Sequence, residues 1–107
     1  MNKAVVVLCN CPDQRVAEML ADGIITARLA ACVNLLPQIQ SVYRWEERIE
    51  TTAEVPLLIK TTSDRYPALQ SWLAEHHPYD VPEIIALPAQ AVHPLYMAWL
   101  VTETLEK

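Results

Sequence analysis

The sequence predicts a small α/β sandwich, an antiparallel sheet with helices packed against it. Three observations predict it. Hydrophobic spacing alternates between strand-like runs and helix-like stripes in the order strand, helix, strand, strand, helix, strand, and a further helix follows. The strand-like runs are short and rich in β-branched residues. The 107 residues suffice for one modest core, so the chain reads as a single domain over 1–107.

Ala4 to Leu8 is a continuous apolar run, expected to be a strand buried on both faces. It leads into Cys9-Asn10-Cys11-Pro12-Asp13, where Pro12 suits a first helical position and Asp13 the positive end of the helix dipole. The first helix is expected to reach about Ala30, with Val16, Met19, Leu20, Gly23, Ile24 and Ala27 as its stripe. Gly23, the only glycine, marks a close contact between helix and sheet there. Cys32 to Leu36 makes a second strand, interrupted by Pro37 and resumed in extended form from Gln38 to Trp45. Glu46-Glu47-Arg48 is a turn without the Asn-Gly pair of a tight hairpin, and the chain returns through Ile49 and Glu54 to Thr61. This hairpin is longer than a domain of this size needs for its own core, and such an arm is expected to pair with a neighbouring subunit.

Ser63 and Asp64 are expected to cap the second helix, with Pro67 in its first turn. Leu69, Trp72, Leu73 and His76 share one apolar face at i, i+3, i+4 and i+7, which points His76 at the sheet and turns His77 about 100° away. Pro82 to Pro88 follows as a strand, and a last helix opens at Pro94 with Tyr96, Trp99 and Leu100 facing inward. With right-handed crossovers this order is a ferredoxin-like βαββαβ sandwich with a long hairpin and an extra C-terminal helix. That topology makes the first and fourth strands antiparallel neighbours and brings Cys9 beside the stretch from His76 to Glu83, a rigid corner held between Pro78 and Pro82.

Composition narrows the function. The net charge is −5 and the basic residues are scattered, which excludes nucleic acid and an anionic membrane surface as partners. Three cysteines without framework spacing argue for free thiols in a reducing compartment, and the short apolar N-terminal run is neither a signal sequence nor a membrane span, so a cytoplasmic location is expected. A single glycine excludes glycine-rich phosphate loops. A hydrophobic content of 52% leaves apolar surface for another subunit.

One thiolate and two imidazoles, Cys9 with His76 and His77, make a donor set for copper or zinc. The plain alternative is a core histidine bonded near Asp80 and an inert buried thiol. Cys9-Asn10-Cys11 puts two sulfurs on one side of an extended chain, as a two-coordinate Cu(I) site needs, or else is a strand end with one buried and one exposed thiol. Cys32, Lys60, Tyr79 and Asp80 mark a candidate cleft between subunits for a small anion or polar metabolite, with an intersubunit ion pair as the structural alternative. Tyr43, Arg44 and Trp45 are interface anchors by type. His77, Asp80 and Lys60 form no nucleophile-and-base pattern that defines a reaction, so no enzyme is expected.

Over nearly its whole length the chain resembles the CutA family of divalent-cation tolerance proteins. The resemblance is carried by Val5-Val6-Val7-Leu8-Cys9, Leu29 to Asn34, Ser41-Val42-Tyr43-Arg44-Trp45-Glu46, Leu58-Ile59-Lys60-Thr61 and, most specifically, His76-His77-Pro78-Tyr79-Asp80-Val81-Pro82-Glu83 continuing to Pro88. It implies a cytoplasmic homotrimer of ferredoxin-like subunits associated with copper and other divalent metals, with no established reaction. It also implies Cys9, His76 and His77 as the metal ligands, and Tyr43, Arg44 and Trp45 fall where a trimer contact is expected. The chain departs from the family's glycines at Gln38 and Glu47, both in the hairpin, and Cys11 has no counterpart in the pattern. A small trimeric regulatory or scaffold protein, binding a metabolite between subunits with metal incidental, is the competing expectation.

Overall fold

The structure, a computed structural model, describes residues 2–106. Its elements are β1 (Ala4–Cys11), α1 (Gln14–Thr26), β2 (Cys32–Leu35), β3 (Ile39–Trp45), β4 (Arg48–Thr62), α2 (Tyr66–His76), β5 (Ile85–Pro88) and α3 (Pro94–Glu103). The sheet runs β2-β4-β1-β5, every pairing is antiparallel, and β3 adds to the far half of β4. This is the ferredoxin-like arrangement the element order predicts, with β1 and β5 adjacent.

β1 continues to Cys11 instead of stopping at Leu8, because its partner β4 is long enough to pair it from Ala4↔Thr62 to Cys11↔Val55. Side chains alternate along it: Val5, Val7, Cys9 and Cys11 are buried against the helices, while Val6, Leu8 and Asn10 face the other way, half-buried. Val55, Leu57 and Ile59 of β4 share the buried layer with Val16, Ala17, Leu20 and Ile24 of α1 and with Leu69 and Leu73 of α2.

Several boundaries differ from expectation for identifiable reasons. Asp13 is the N-cap itself, its Oδ1 accepting from the Val16 N–H at 2.9 Å, so Pro12 precedes the helix. α1 ends at Thr26 because Arg28 adopts φ 57° and the N–H groups of Arg28 and Leu29 return to the carbonyls of Ile25 and Ile24, a Schellman closure without its usual glycine. The Arg65 guanidinium covers the freed carbonyls of Ala27 and Arg28. Arg65 is also the N-cap of α2, in place of Ser63 and Asp64, and makes no side-chain cap. Met19 and Ala27 lie outside the buried stripe of α1, and Ala17 belongs to it. Gly23 contacts a helix and not the sheet: a Cβ there would stand 2.6 Å from two ring carbons of Trp72 on α2. In α3 only Leu100 is buried; Tyr96 and Trp99 are exposed and lean on each other, with centroids 5.5 Å apart. β5 begins at Ile85, since Pro82 to Ile84 has no ladder partner.

The hairpin of β3 and β4 turns through two residues only, with Trp45 paired to Arg48. Glu46 at φ 49° and Glu47 at φ 65° supply the two left-handed residues that such a turn requires. Each carries a Cβ in a conformation that costs an L-residue about 1–2 kcal/mol. Glu47→Gly therefore stabilises the protein by about 1 kcal/mol, read as a higher urea midpoint at unchanged slope, while Glu47→Ala, which keeps the Cβ, does not.

Candidate metal centre

Cys9, Cys11 and His77 offer donor atoms that all lie within 4.8 Å of one another, and all three residues are buried. Strand alternation sends both sulfurs to the helix side, where the end of α2 delivers His77. Leu69, Leu73 and His77 follow each other at i+4, so the inward line of α2 ends on His77. At His77 the chain turns extended, at ψ 138°, and its N–H still closes on the Leu73 carbonyl.

His76 takes the opposite place from the one its spacing suggests. It lies on the Trp72 stripe, exposed, with its ring stacked on the indole at 4.1 Å and its Nδ1 2.8 Å from the Trp72 carbonyl. The structure thus brings Cys9 and His77 together, leaves His76 outside, and adds Cys11. The expected pairing of one buried with one exposed thiol also gives way, since Cys9 and Cys11 are both fully buried. The i, i+2 spacing carried the signal for Cys11; the extra length of β1 did not show in the sequence.

His77 has both ring nitrogens engaged. Nε2 is 2.8 Å from the Asn10 carbonyl, and the Tyr79 N–H donates to Nδ1 at 3.1 Å. This pattern fits a neutral ring protonated on Nε2. Burial lowers the ring's proton affinity, but Cys11 and the Asn10 carbonyl outweigh it and raise the pKa above the ordinary histidine value. The two thiols shift in opposite directions. Cys9, donating to Cys11 and desolvated, is pushed far up, while Cys11, receiving that hydrogen bond and facing His77, falls to about 6 despite its burial.

A cleft of about 630 Å³ adjoins this cluster. Ser41, Tyr43 and Trp45 of the hairpin form one wall, and Tyr79, Asp80 and Glu83 of the loop before β5 form the other. Asn10 and Glu54 make the floor. Glu54 is 8% exposed; its carboxylate accepts from the Tyr79 hydroxyl at 2.8 Å and from the Asn10 amide at 3.3 Å. Burial and the Glu54 carboxylate raise the Tyr79 phenol's pKa, which keeps it a donor.

Of the four residues expected to share a cleft, Tyr79 and Asp80 do so. Cys32 and Lys60 do not; they pair with each other across β2 and β4, six residues along the strand from Glu54, about 20 Å. Within one chain the cleft lining holds carboxylates and no cationic side chain; the cleft expected from the sequence lies between subunits, and Lys60 stands outside this single-chain one. Glu54, which nothing in the sequence singled out, is the group the cleft is built on. Tyr43, Arg44 and Trp45 lie exposed on the hairpin.

Comparison with known proteins agrees with the fold and the motif. The sequence profile described as CutA1 divalent ion tolerance protein matches residues 5–103. Protein CutA of Mus musculus is 47% identical over 96 residues, which cover 88% of this chain and 54% of the mouse protein. The chain thus spans about half of that relative. The divalent-cation tolerance protein CutA of Pectobacterium atrosepticum is 44% identical over 97 residues, covering 91% of this chain and 88% of the relative. The crystal structure of CutA1 from Oryza sativa superposes with a TM-score of 0.94 at 42% identity, over 98% of this chain and 96% of that one. By motif, profile and fold together, this chain belongs to the CutA1 divalent ion tolerance family.

Proposed function

We infer that the protein binds a thiophilic metal ion, copper above all and zinc as the alternative, through Cys9, Cys11 and His77, and contributes to tolerance of divalent cations as a cytoplasmic, non-catalytic homotrimer. The observation that carries this reading is the convergence of two sulfurs and an imidazole within 4.8 Å. Around a three-coordinate ion with metal–sulfur bonds of about 2.3 Å the donors stand ~4 Å apart, so a set already within 4.8 Å needs to close by less than about 1 Å. Two thiolates and one imidazole suit Cu(I) or Zn(II) and are poor ligands for magnesium or calcium. The lowered pKa of Cys11 reduces the proton cost of loading. His77 joins only by giving up a bond at one ring nitrogen, which makes the Tyr79 amide and the Asn10 carbonyl part of the binding event.

The names of the relatives, divalent-cation tolerance proteins, support the physiological half of the reading. The free cysteines suit a reducing compartment, and no described helix is long and apolar enough to cross a membrane. The trimer rests on exposed apolar surface: Val42, Tyr43, Trp45 and Ile49 on the hairpin, with Ile85 and Leu87 on the edge strand β5.

Cu(I) competition against a chelator tests the ligand set. Cys9→Ser, Cys11→Ser and His77→Ala each weaken binding by more than about tenfold, while His76→Ala leaves it within about twofold; equal binding by Cys11→Ser and parent refutes the site.

A pH titration of thiolate ultraviolet absorbance gives a second check. Because the Cys11 pKa is depressed, thiolate is present above about 6 and lost below it, so metal affinity falls as pH drops through that value. The transition disappears in Cys11→Ser and persists in Cys32→Ser.

Light scattering at micromolar concentration reads the assembly. A trimer is expected, and Trp45→Ala shifts it toward monomer; a parent chain that is wholly monomeric defeats the trimer.

A further inference from the structure

The end of β1 is held least at the one residue between its two buried cysteines. Opposite Asn10 in the β4 ladder stands Pro56, which has no N–H to give. On the other side β5 has already ended, since that ladder stops at Leu8↔Ile85. The Asn10 carbonyl is met instead by His77, at 2.8 Å. Cys11 then closes the strand, and Pro12 follows it. Cys9 and Cys11 point the same way, their sulfurs lie within 4.8 Å of each other, and both are free thiols. A disulfide sets its sulfurs about 2 Å apart and accepts Cα separations up to about 6.8 Å. Two residues of a strand advance about 6.4–6.8 Å, the upper end of that range. Closure therefore asks Asn10 to pucker and shorten the step, and Asn10 is the residue whose ladder pairing loses least by it. A bond closed at this limit is strained, and strained disulfides are readily reduced.

We propose that Cys9 and Cys11 form a reversible dithiol–disulfide couple, oxidised by hydrogen peroxide in the folded chain, and that the disulfide withdraws both sulfurs from metal. The second half rests on the metal reading above. Cys11, at the strand end and against His77, is the sulfur reached first when the segment after α2 opens. As thiolate it attacks one peroxide oxygen: the S–O bond forms, the O–O bond breaks, and the departing hydroxide takes up the proton Cys11 gave. The Cys9 sulfur then attacks the Cys11 sulfenic acid: the S–S bond forms, the S–O bond breaks, and the second hydroxide leaves with the Cys9 proton. Two thiols thus lose two electrons and two protons, and one peroxide becomes two waters. Cys32, on β2 opposite Lys60, takes no part.

Peptide mass tests it on the metal-free full chain carrying Cys32→Ser. The folded protein is treated with hydrogen peroxide, alkylated with iodoacetamide in denaturant and digested with trypsin. Cys9 and Cys11 fall in one peptide, Ala4 to Arg15. That peptide is expected unalkylated and lighter by two hydrogen atoms, and dithiothreitol restores two alkylated thiols. Cys11→Ser in the same background gives no such product. The oxidised chain is expected to bind Cu(I) more than about tenfold more weakly than the reduced chain and to recover on reduction. Two thiols still open to alkylation, a peptide heavier by oxygen, or a disulfide between chains overturns the couple. Unchanged Cu(I) affinity after full oxidation overturns the withdrawal of the sulfurs. The disulfide is read without metal, so its failure leaves the metal reading standing, and a reduced chain that binds no Cu(I) defeats that reading while leaving the couple intact.

Discussion

The pairing of β1 with β4 is the constraint on which both sites depend. The ladder runs without a break from Ala4↔Thr62 to Cys11↔Val55. Because side chains alternate, this register decides that Cys9 and Cys11 face the helices and Asn10 faces away. A slip of one residue would turn both sulfurs to the open face and put the Asn10 amide against Leu69 and Leu73, so the hydrophobic layer enforces the placement of the donors. The same ladder carries β4 beyond the end of β1. That extension holds Glu54 opposite Ile39 and gives the hairpin its length. At the other end the Thr61 hydroxyl donates to the Leu29 carbonyl at 2.7 Å, which ties the exit of α1 to the same strand.

Much of this was legible because it rests on periodicity. The β-branched run at Ala4 to Leu8, the proline corner between α2 and β5 and the order of elements led directly to the sandwich, and the order alone made β1 and β5 neighbours. What was not legible came from geometry that sequence spacing leaves open. Two stripes run along α2, one through Leu69 and Leu73 and one through Trp72, and they end on adjacent histidines. The i+7 step from Leu69 favours His76, the i+4 step from Leu73 favours His77, and the extended conformation at His77 decides between them. The hairpin turn was obscured for a different reason. Glu46 and Glu47 adopt left-handed angles that residues with a Cβ rarely take, and the strands on either side impose them through the Trp45↔Arg48 pairing. Glu54 gave no signal at all, since a glutamate in a long strand reads as a solvated face until the loop carrying Tyr79 closes over it.

Tyr79 and Asn10 join the two sites. Tyr79 donates its backbone N–H to His77 and its hydroxyl to Glu54. Asn10 offers its carbonyl to His77 and its amide to Glu54 and Glu83. Each residue therefore uses its backbone for the buried cluster and its side chain for the cleft. No buried side-chain nitrogen or oxygen among the described residues lacks a partner, and Tyr79 and Asn10 couple the bonding of one site to that of the other. Release of His77 from Tyr79 moves the same loop that holds the phenol on Glu54.

That linkage bears on how an ion would reach sulfurs with no exposure to solvent, as the proposed metal reading requires. Entry requires a local opening, and the weakest cover is the segment after α2, where Pro78 to Ile84 has no strand partner and mostly lies exposed. The path past this loop runs beside Glu83, Asp80 and Glu54, which attract any cation irrespective of type. Carboxylates hold hard ions loosely and exchange them, whereas two sulfurs and an imidazole retain a soft one. On the metal reading proposed above, discrimination would arise from the order of the donors along the path: oxygen at the mouth would concentrate cations, and sulfur at the end would keep only those that lose little by leaving water. On that reading the burial of Cys9 and Cys11, costly for a thiolate, would make the final step selective, because a hard ion moved there would lose its hydration and gain ligands it binds poorly.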